Sequence, residues 1–574
     1  MDYLIVTREH LSLCCGNCIV LSNVLLNYHK KQLTKHGTTN TMLKKITQRK
    51  HSIHCPTTCI YIACRFVFGL MKRIIVSAVA ILMIAIGCNN EQANTNDGKQ
   101  LAETYCGSCH VVPTPDLLDK YSWKTYMLPR MGVFLGIVEH DSLIDVLLED
   151  GPGRDIVKQT GVFPEKPILS NEEWEQIKNY YLSNAPEKLQ APPAKTISKG
   201  LKQFEVLIPE YKLSPPSVTY VKFNPDNTIY IGDANSQSLN VVGNDLKLIQ
   251  AAKVKEGAVW AEEFPQELLL TVMGSFSPTD MNSGFIMSLP KVANRQPFKV
   301  LDSLQRPVHS AYADLDGDQQ MDIVTCEFAK WTGKLAWWHN NGDGSFTKNI
   351  LRNKPGAIKA YIKDLNGDKL QDIIALFGQG DEGIYIYYNE GKGKFREEAA
   401  LRFPPSNGSS FFKLYDFNGD GHEDIIYTAG DNADFKPILK HYHGIYVYMN
   451  DGQNHFKQSF FYHLNGAYAA MPADYDKDGD IDIAAISFFP DYQHQPEESF
   501  VYLQNDGKNN FTASTINDPT LGRWIVMDVA DYDKDGDEDI ILGSLAFEVI
   551  PDNGLVNKWV NAGIPFIVLK NTAR

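Results

Sequence analysis

The feature that most constrains this chain is an eleven-residue element that returns five times at nearly even intervals: DLDGDQQMDIV from Asp314, DLNGDKLQDII from Asp364, DFNGDGHEDII from Asp416, DYDKDGDIDIA from Asp474 and DYDKDGDEDII from Asp531. The intervals are 50, 52, 58 and 57 residues. A period near 50 residues marks a ring of small sheets, because one such unit cannot bury its own apolar face and must stack on its copies. A second element keeps step with the first: NNGDGSF from Asn340, NEGKGKF from Asn389, NDGQNHF from Asn450 and NDGKNNF from Asn505. Its Asn and Gly residues supply the positive φ angles of a hairpin turn.

Within the first element, oxygen-bearing side chains recur at positions 1, 3, 5 and 9. They are Asp314, Asp316, Asp318 and Asp322; Asp364, Asn366, Asp368 and Asp372; Asp416, Asn418, Asp420 and Asp424; Asp474, Asp476, Asp478 and Asp482; Asp531, Asp533, Asp535 and Asp539. Like charges packed this closely raise one another's pKa unless a cation lies among them. An all-oxygen donor set of that density selects calcium over zinc or copper. Strands rather than helices flank the loops, and the bidentate Glu of an EF-hand is absent. The units resemble the integrin-type FG-GAP, or VCBS, repeat. That resemblance implies a β-propeller blade with a calcium loop between its first two strands, and up to five calcium ions.

Two further units lack the aspartates, VTYVKFNPDNTIYIGDA from Val218 and AVWAEEFPQELLLTVMG from Ala258, which makes seven over residues 203–574. The last unit stops at IVLKNTAR without an outer strand. Gly200 precedes Phe204 by the same four residues as Gly342 precedes Phe346 and Gly391 precedes Phe395. Phe204 to Ile208 is therefore expected to complete the last blade and hide its open edge.

Ahead of the ring stands a different chemistry. Cys106-Gly-Ser-Cys109-His110 is a C-x-x-C-H segment, in which two thiols can add to haem vinyl groups while the adjacent imidazole reaches the iron. A redox C-x-x-C lacks its βαβ surroundings here, and a zinc half-site lacks two further ligands nearby. DGKQLAETY, from Asp97, reads as a helix entering the motif, and Ser170 with Glu173 forms a capping box before Trp174, Ile177 and Tyr181 on one helical face. Residues 97–187 resemble a class I cytochrome c domain whose terminal helices pack together. For the sixth iron ligand Met131 is favoured, in a turn from Pro129 to Gly132, with Met127 and His140 as alternatives and an open site also possible. Residues 188–202 read as a polar, Pro-containing linker.

The stretch MKRIIVSAVAILMIAIGC, from Met71 to Cys88, has two basic residues, an apolar run of 13 from Ile74 to Ile86, and small residues before a cysteine. That is the layout of an export signal, and the run is short for a spanning helix. AIGC resembles a bacterial lipobox, which implies cleavage after Gly87 and a lipid on Cys88, with 88–96 as a tether. Residues 1–70 show no helical or strand period, and Met71 is the expected start. The alternative is a cytoplasmic extension that turns residues 60 to 86 into a signal anchor. Without residues 1–87 the charge becomes (55 − 11) − (69 − 2) = −23. So acidic a chain is a poor partner for nucleic acid.

The expected architecture is thus multidomain: a small all-α cytochrome c domain followed by an all-β seven-bladed propeller. The expected role is that of an exported, lipid-anchored protein carrying covalent haem c for single-electron transfer. Its propeller would dock a redox partner protein, a small molecule or a carbohydrate. In the alternatives the propeller is itself a dehydrogenase or oxidase feeding the haem, or the chain is a surface-binding scaffold with structural haem. An enzyme would draw on polar residues at blade starts and insertions: His309, Lys359, Asp431, Asp434, His441, His443 and Arg523.

Overall fold

Seven four-stranded antiparallel sheets follow one another through the chain; strands from before the first sheet complete the seventh and add a parallel strand to the sixth. The structure is a computed structural model, and it describes residues 97–574 apart from 194, 256, 293, 434–436, 509, 548–552 and 574. The readings made for residues 1–96, Cys88 among them, and for Asp434 lie outside the described residues. Blades one to seven occupy residues 218–253, 258–304, 307–352, 357–402, 409–463, 467–515 and 524–571. The two units without aspartates form blades one and two.

The second strands of the five acidic units, Asp322–Glu327, Asp372–Phe377, Asp424–Ala429, Asp482–Ser487 and Asp539–Ser544, are buried along their whole length. Neighbouring blades cover both faces of each sheet, which is why these strands read as continuous apolar runs rather than alternating ones. The core lies between blades: Val324, Leu335 and Trp337 of blade three share one cluster with Ala360, Ile373 and Ala375 of blade four. The ring closes as the unit pattern predicts. Strand Phe204–Leu207 pairs with Phe566–Asn571, Phe204 opposite Asn571 and Leu207 opposite Val568.

The segment read as a linker is more than a linker. Ser198 and Lys199 pair in parallel with Ser514 and Thr515 as a fifth strand on blade six, and Ile197 enters the core of that blade. Lys195 is buried against Glu498, Nζ to Oε1 2.6 Å, and Glu498 also accepts from Asn465 Nδ2 at 3.0 Å. One apolar residue among Pro and Lys residues gives no strand period, so sequence alone could not show this strap.

Before the ring come five helices: α1 (97–105), α2 (Leu128–Phe134), α3 (Asp141–Leu147), α4 (Pro152–Thr160) and α5 (Asn171–Asn184). The capping box on α5 is formed, with Glu173 N donating to Ser170 Oγ at 3.2 Å and Ser170 N to Glu173 Oε2 at 2.7 Å. Helices α1 and α5 cross at Gly98, where a Cβ would lie 2.3 Å from the Gln176 carbonyl oxygen, so only glycine allows the approach. Ala102, Trp123, Trp174, Ile177 and Tyr181 fill the core beneath.

In an antiparallel four-stranded blade the first and third turns share one face of the ring, and the second turns share the other. The acidic loops are first turns. The helices dock on second turns: Glu149 accepts from Thr279 Oγ1 and Asp280 N, both at 2.7 Å, Trp331 Nε1 donates to Leu147 O at 2.9 Å, and Tyr442 OH donates to Leu117 O at 2.9 Å. Trp331 also meets Phe134 and Phe163 edge-on, at 5.5 and 5.7 Å between ring centroids. Helices and acidic loops therefore occupy opposite faces.

Lys195→Met is expected to leave Glu498 as a buried charge without its ammonium. The cost should be about 3 kcal/mol by denaturant unfolding; a change under about 0.5 kcal/mol would show that the strap carries no stability.

Candidate functional site

The C-x-x-C-H segment sits where α1 ends. Cys106–Ser108 form a 3-10 turn, and Cys106 and Cys109 are both free thiols. Burial and the neighbouring Cys109 push the Cys106 thiol up to about 11. His110 Nδ1 lies 2.8 Å from the Val111 carbonyl, which can only accept. The proton is thereby fixed on Nδ1, and Nε2 keeps its lone pair free for a metal. Burial also holds the imidazole below its ordinary pKa, with smaller opposing and reinforcing effects from Asp381, Arg402 and Lys354 of the propeller. Among the described residues, Cys106, Cys109 and His110 are not one of the tight groups whose ligand atoms converge on a single ion.

Met131 is not in a turn; it lies within α2, one helical turn after Met127, and both side chains pack half-buried against the helical core. Pro129 occupies the first turn of α2, where its missing N–H costs nothing, so the expected turn is helix instead. Met127 ends a π-helical turn, Trp123–Met127, a local irregularity that recurs at functional sites. His140 is exposed and stands before α3.

The acidic loops on the far face share one plan. The aspartate at position 1 accepts backbone N–H groups of its own loop: Gly367 N and Lys369 N reach Asp364 at 2.7 and 2.8 Å, and Gly419 N and Gly421 N reach Asp416 at 2.8 and 2.9 Å. Carboxylate oxygens at positions 1, 3 and 5 converge in blades three, six and seven: Asp314, Asp316 and Asp318; Asp474, Asp476 and Asp478; Asp531, Asp533 and Asp535. In blades four and five position 3 is an amide, with Asn366 Nδ2 donating to Asp368 at 3.0 Å and Asn418 Nδ2 to Asp420 at 2.9 Å.

Position 9 has a second employment. Asp322 accepts from Leu315 N at 3.1 Å and Asn340 N at 2.8 Å, Asp372 from Leu365 N at 3.0 Å and Asn389 N at 2.8 Å, and Asp424 from Phe417 N at 3.0 Å and Asn450 N at 2.7 Å. Asp539 repeats this with Tyr532 N and Asn571 N, and Asp482 takes Asn505 N and the Tyr502 hydroxyl. In four of the five blades the position-9 carboxylate thus staples a backbone N–H of the first turn to the hairpin asparagine; in blade six Asp482 takes the Tyr502 hydroxyl in place of the first-turn donor. The residue just before that asparagine faces the position-3 aspartate in three blades, as His339, Gln504 and Lys570. The signal was present in the sequence as the fixed phase of the two elements, but nothing in the residue types distinguished a staple from a ligand.

The remaining candidates fall into three places. His309 and Lys359 follow the same register shift on adjacent inner strands and face the central channel. His309 is 5% exposed, lies on Trp260 at 4.3 Å, and its Nδ1 has no hydrogen-bond partner among the described residues. The Lys359 ammonium stands 5.6 Å from Trp260, 4.9 Å from Tyr361 and 4.9 Å from Phe411, and burial lowers it to about 8 against the pull of Asp528. His441 and His443 lie in the insertion of blade five; His443 is buried and kept neutral by burial, with Lys440, His463 and His441 adding to the effect. Asp431 Oδ1 accepts from Ala433 N in its own loop. Arg523 is buried between blades six and seven, where Nε donates to Phe488 O at 3.1 Å and the guanidinium covers the Phe488 ring at 3.6 Å. A guanidinium so placed ties blades six and seven together.

With this geometry established, comparison gives the repeats a name. The model of the FG-GAP-like repeat matches residues 314–375 and 364–427, which span the acidic loops of blades three, four and five. The propeller contains FG-GAP-like repeats. Solved structures of similar outline include BBS1N in complex with ARL6DN, at 9% identity and a TM-score of 0.40, covering 65% of this chain and 98% of that one. Another is Saccharomyces cerevisiae Sqt1, at 9% identity and a TM-score of 0.38, covering 66% and 100%. No curated protein sequence matches the chain.

The acidic loops of blades six and seven carry carboxyls with raised pKa values. Burial, the leading cause in each, sets Asp482 and Asp537 at about 6 and Asp539 at about 7. A carboxyl that holds its proton more tightly when folded stabilises the protein fully below about pH 4 and loses that contribution as pH rises through 6 to 7. In chelator, the melting temperature is therefore expected to be higher at pH 5 than at pH 7.5 by several degrees, read by calorimetry. A melting temperature that rises over this interval would contradict the assignment.

Proposed function

We propose that this chain is an exported, lipid-anchored c-type haem protein for single-electron transfer, with a calcium-braced FG-GAP propeller that docks a partner or ligand. The observation that carries the reading is the C-x-x-C-H segment: two free thiols, and an imidazole whose Nδ1 proton is committed to Val111 O while Nε2 is free. Haem c, when bound, supplies a one-electron couple at its iron. Cys106 and Cys109 would hold it through thioether bonds, His110 would ligate through Nε2, and Met131, Met127 or His140 would be the candidate for a further ligand. The crossing of α1 and α5 at Gly98 supports the likeness of residues 97–187 to a class I cytochrome c. The lipid anchor is assigned to Cys88.

The chain's own residues orient the segment. Val111 fixes the imidazole tautomer, Trp123 and Tyr181 stack at 4.3 Å beneath, and Tyr181 OH donates to Pro113 O at 3.0 Å, pinning the segment that follows His110. Calcium is assigned to the acidic loops on their donor chemistry, oxygen at positions 1, 3 and 5 in a loop already shaped by backbone donors. A second reading, in which the propeller is itself an oxidoreductase that reduces the haem, draws on His309 and Lys359 in the channel. Lys359→Met would then abolish substrate-driven haem reduction and leave the spectrum intact.

Produced with haem c maturation, the protein is expected to show a c-type absorption spectrum that Cys106→Ala loses or converts to single attachment. Absence of covalent haem in the wild type would remove the electron-transfer role. Calcium at millimolar concentration is expected to raise the melting temperature at pH 7.5 by more than at pH 5, because the ion favours the ionised carboxyls. Equal shifts at both pH values would argue against carboxylate ligation.

A further inference from the structure

The five acidic loops do not suit a metal ion equally. Three have aspartate at position 3, and in each of them the third strand sends a polar side chain to that aspartate. In blade three His339 Nδ1 lies 3.1 Å from Asp316 Oδ2, in blade six Gln504 Nε2 donates to Asp476 Oδ2 at 2.6 Å, and in blade seven Lys570 Nζ pairs with Asp533. Where position 3 is Asn366 or Asn418, the equivalent residues are Tyr388 and Met449, which carry no charge. Imidazole and amide leave room for a cation in their loops. An ammonium is itself the cation.

Lys570 reaches two of the three converging carboxylates, Asp533 and, at 3.9 Å, Asp535 Oδ2. A second lysine closes the loop from the neighbouring blade, with Lys477 Nζ 4.0 Å from Asp537 Oδ2. A divalent ion among Asp531, Asp533 and Asp535 would have to displace the Lys570 ammonium from the carboxylates that ligate it.

We propose that in blade seven the Lys570 ammonium takes the place of the metal ion, so that at most four of the five acidic loops bind calcium. The inference rests on the calcium reading of the other loops, from which it departs at this one. Blade seven is also where the ring closes, since Lys570 lies on the strand that pairs with Phe204–Leu207, directly opposite Glu205. The closing blade is then braced by a charge belonging to the chain and stays braced when calcium is withdrawn.

The test is calcium stoichiometry on the full-length protein by equilibrium dialysis, with melting in EGTA as a second readout. Wild type is expected to bind no more than four ions. Lys570→Gln, which copies the blade-six arrangement, is expected to bind one more than wild type, with Asp533 Oδ1 and Asp537 Oδ1, both unpartnered now, free to join the ligand set. In EGTA the same variant should melt several degrees below wild type and recover with calcium. The converse variant Gln504→Lys, at an exposed position and so less exposed to folding failure, should lose one ion. Five ions in the wild type, or counts unchanged in both variants, would overturn the proposal. If neither protein bound calcium, the calcium reading would fall by itself. The EGTA comparison would still decide Lys570: equal melting of wild type and Lys570→Gln would overturn its role.

Discussion

The staple between the position-9 aspartate and the hairpin asparagine is the interaction on which the ring depends. In blade four, Asp372 accepts from Leu365 N and Asn389 N, joining the first turn to the third. The same asparagine turns its amide outward, with Nδ2 donating to Leu315 O of blade three at 2.8 Å, and Asn571 does likewise to Tyr475 O of blade six at 2.7 Å. One side chain therefore fixes its own blade and its place against the preceding one. Each such carboxylate is buried, so losing its donors would leave an unsatisfied charge costing several kcal/mol.

That staple explains why the two elements keep phase while the distance between them does not. The interval from loop to hairpin grows in blade five because its insertion lies on the opposite face, where nothing in the staple is disturbed. The propeller was legible because its signal is periodic: apolar runs after an aspartate, a hairpin with glycine, and a missing outer strand that Phe204 supplies. What stayed hidden has no period. The strap at Lys195 and Ile197 is held by one buried ion pair and two paired residues, and the helix over Met131 follows from Pro129 starting a helix as readily as a turn.

The candidate site was legible to a different degree in its two halves. C-x-x-C-H declares itself by spacing, and the fold adds the tautomer of His110, which no sequence carries. In the acidic loops the sequence showed five equivalent sites; the structure separates them, because Lys570 is distant in the chain from Asp533 and meets it only through strand pairing. The same is true of Arg523, whose guanidinium covers the Phe488 ring of blade six from the start of blade seven.

The two faces of the ring separate the C-x-x-C-H segment from the acidic loops. The inner strands are six or seven residues long, which makes the ring roughly 20 Å thick. Helices and the C-x-x-C-H segment lie on one face, acidic loops on the other. Anything seated on the acidic loops would be a full ring's thickness from Cys106 and Cys109. Between the faces Lys359 reaches from blade four past blade three to Trp260 of blade two. If haem is bound as proposed, a protein exchanging electrons with it would meet the helical face, and the acidic loops would be left to brace the ring.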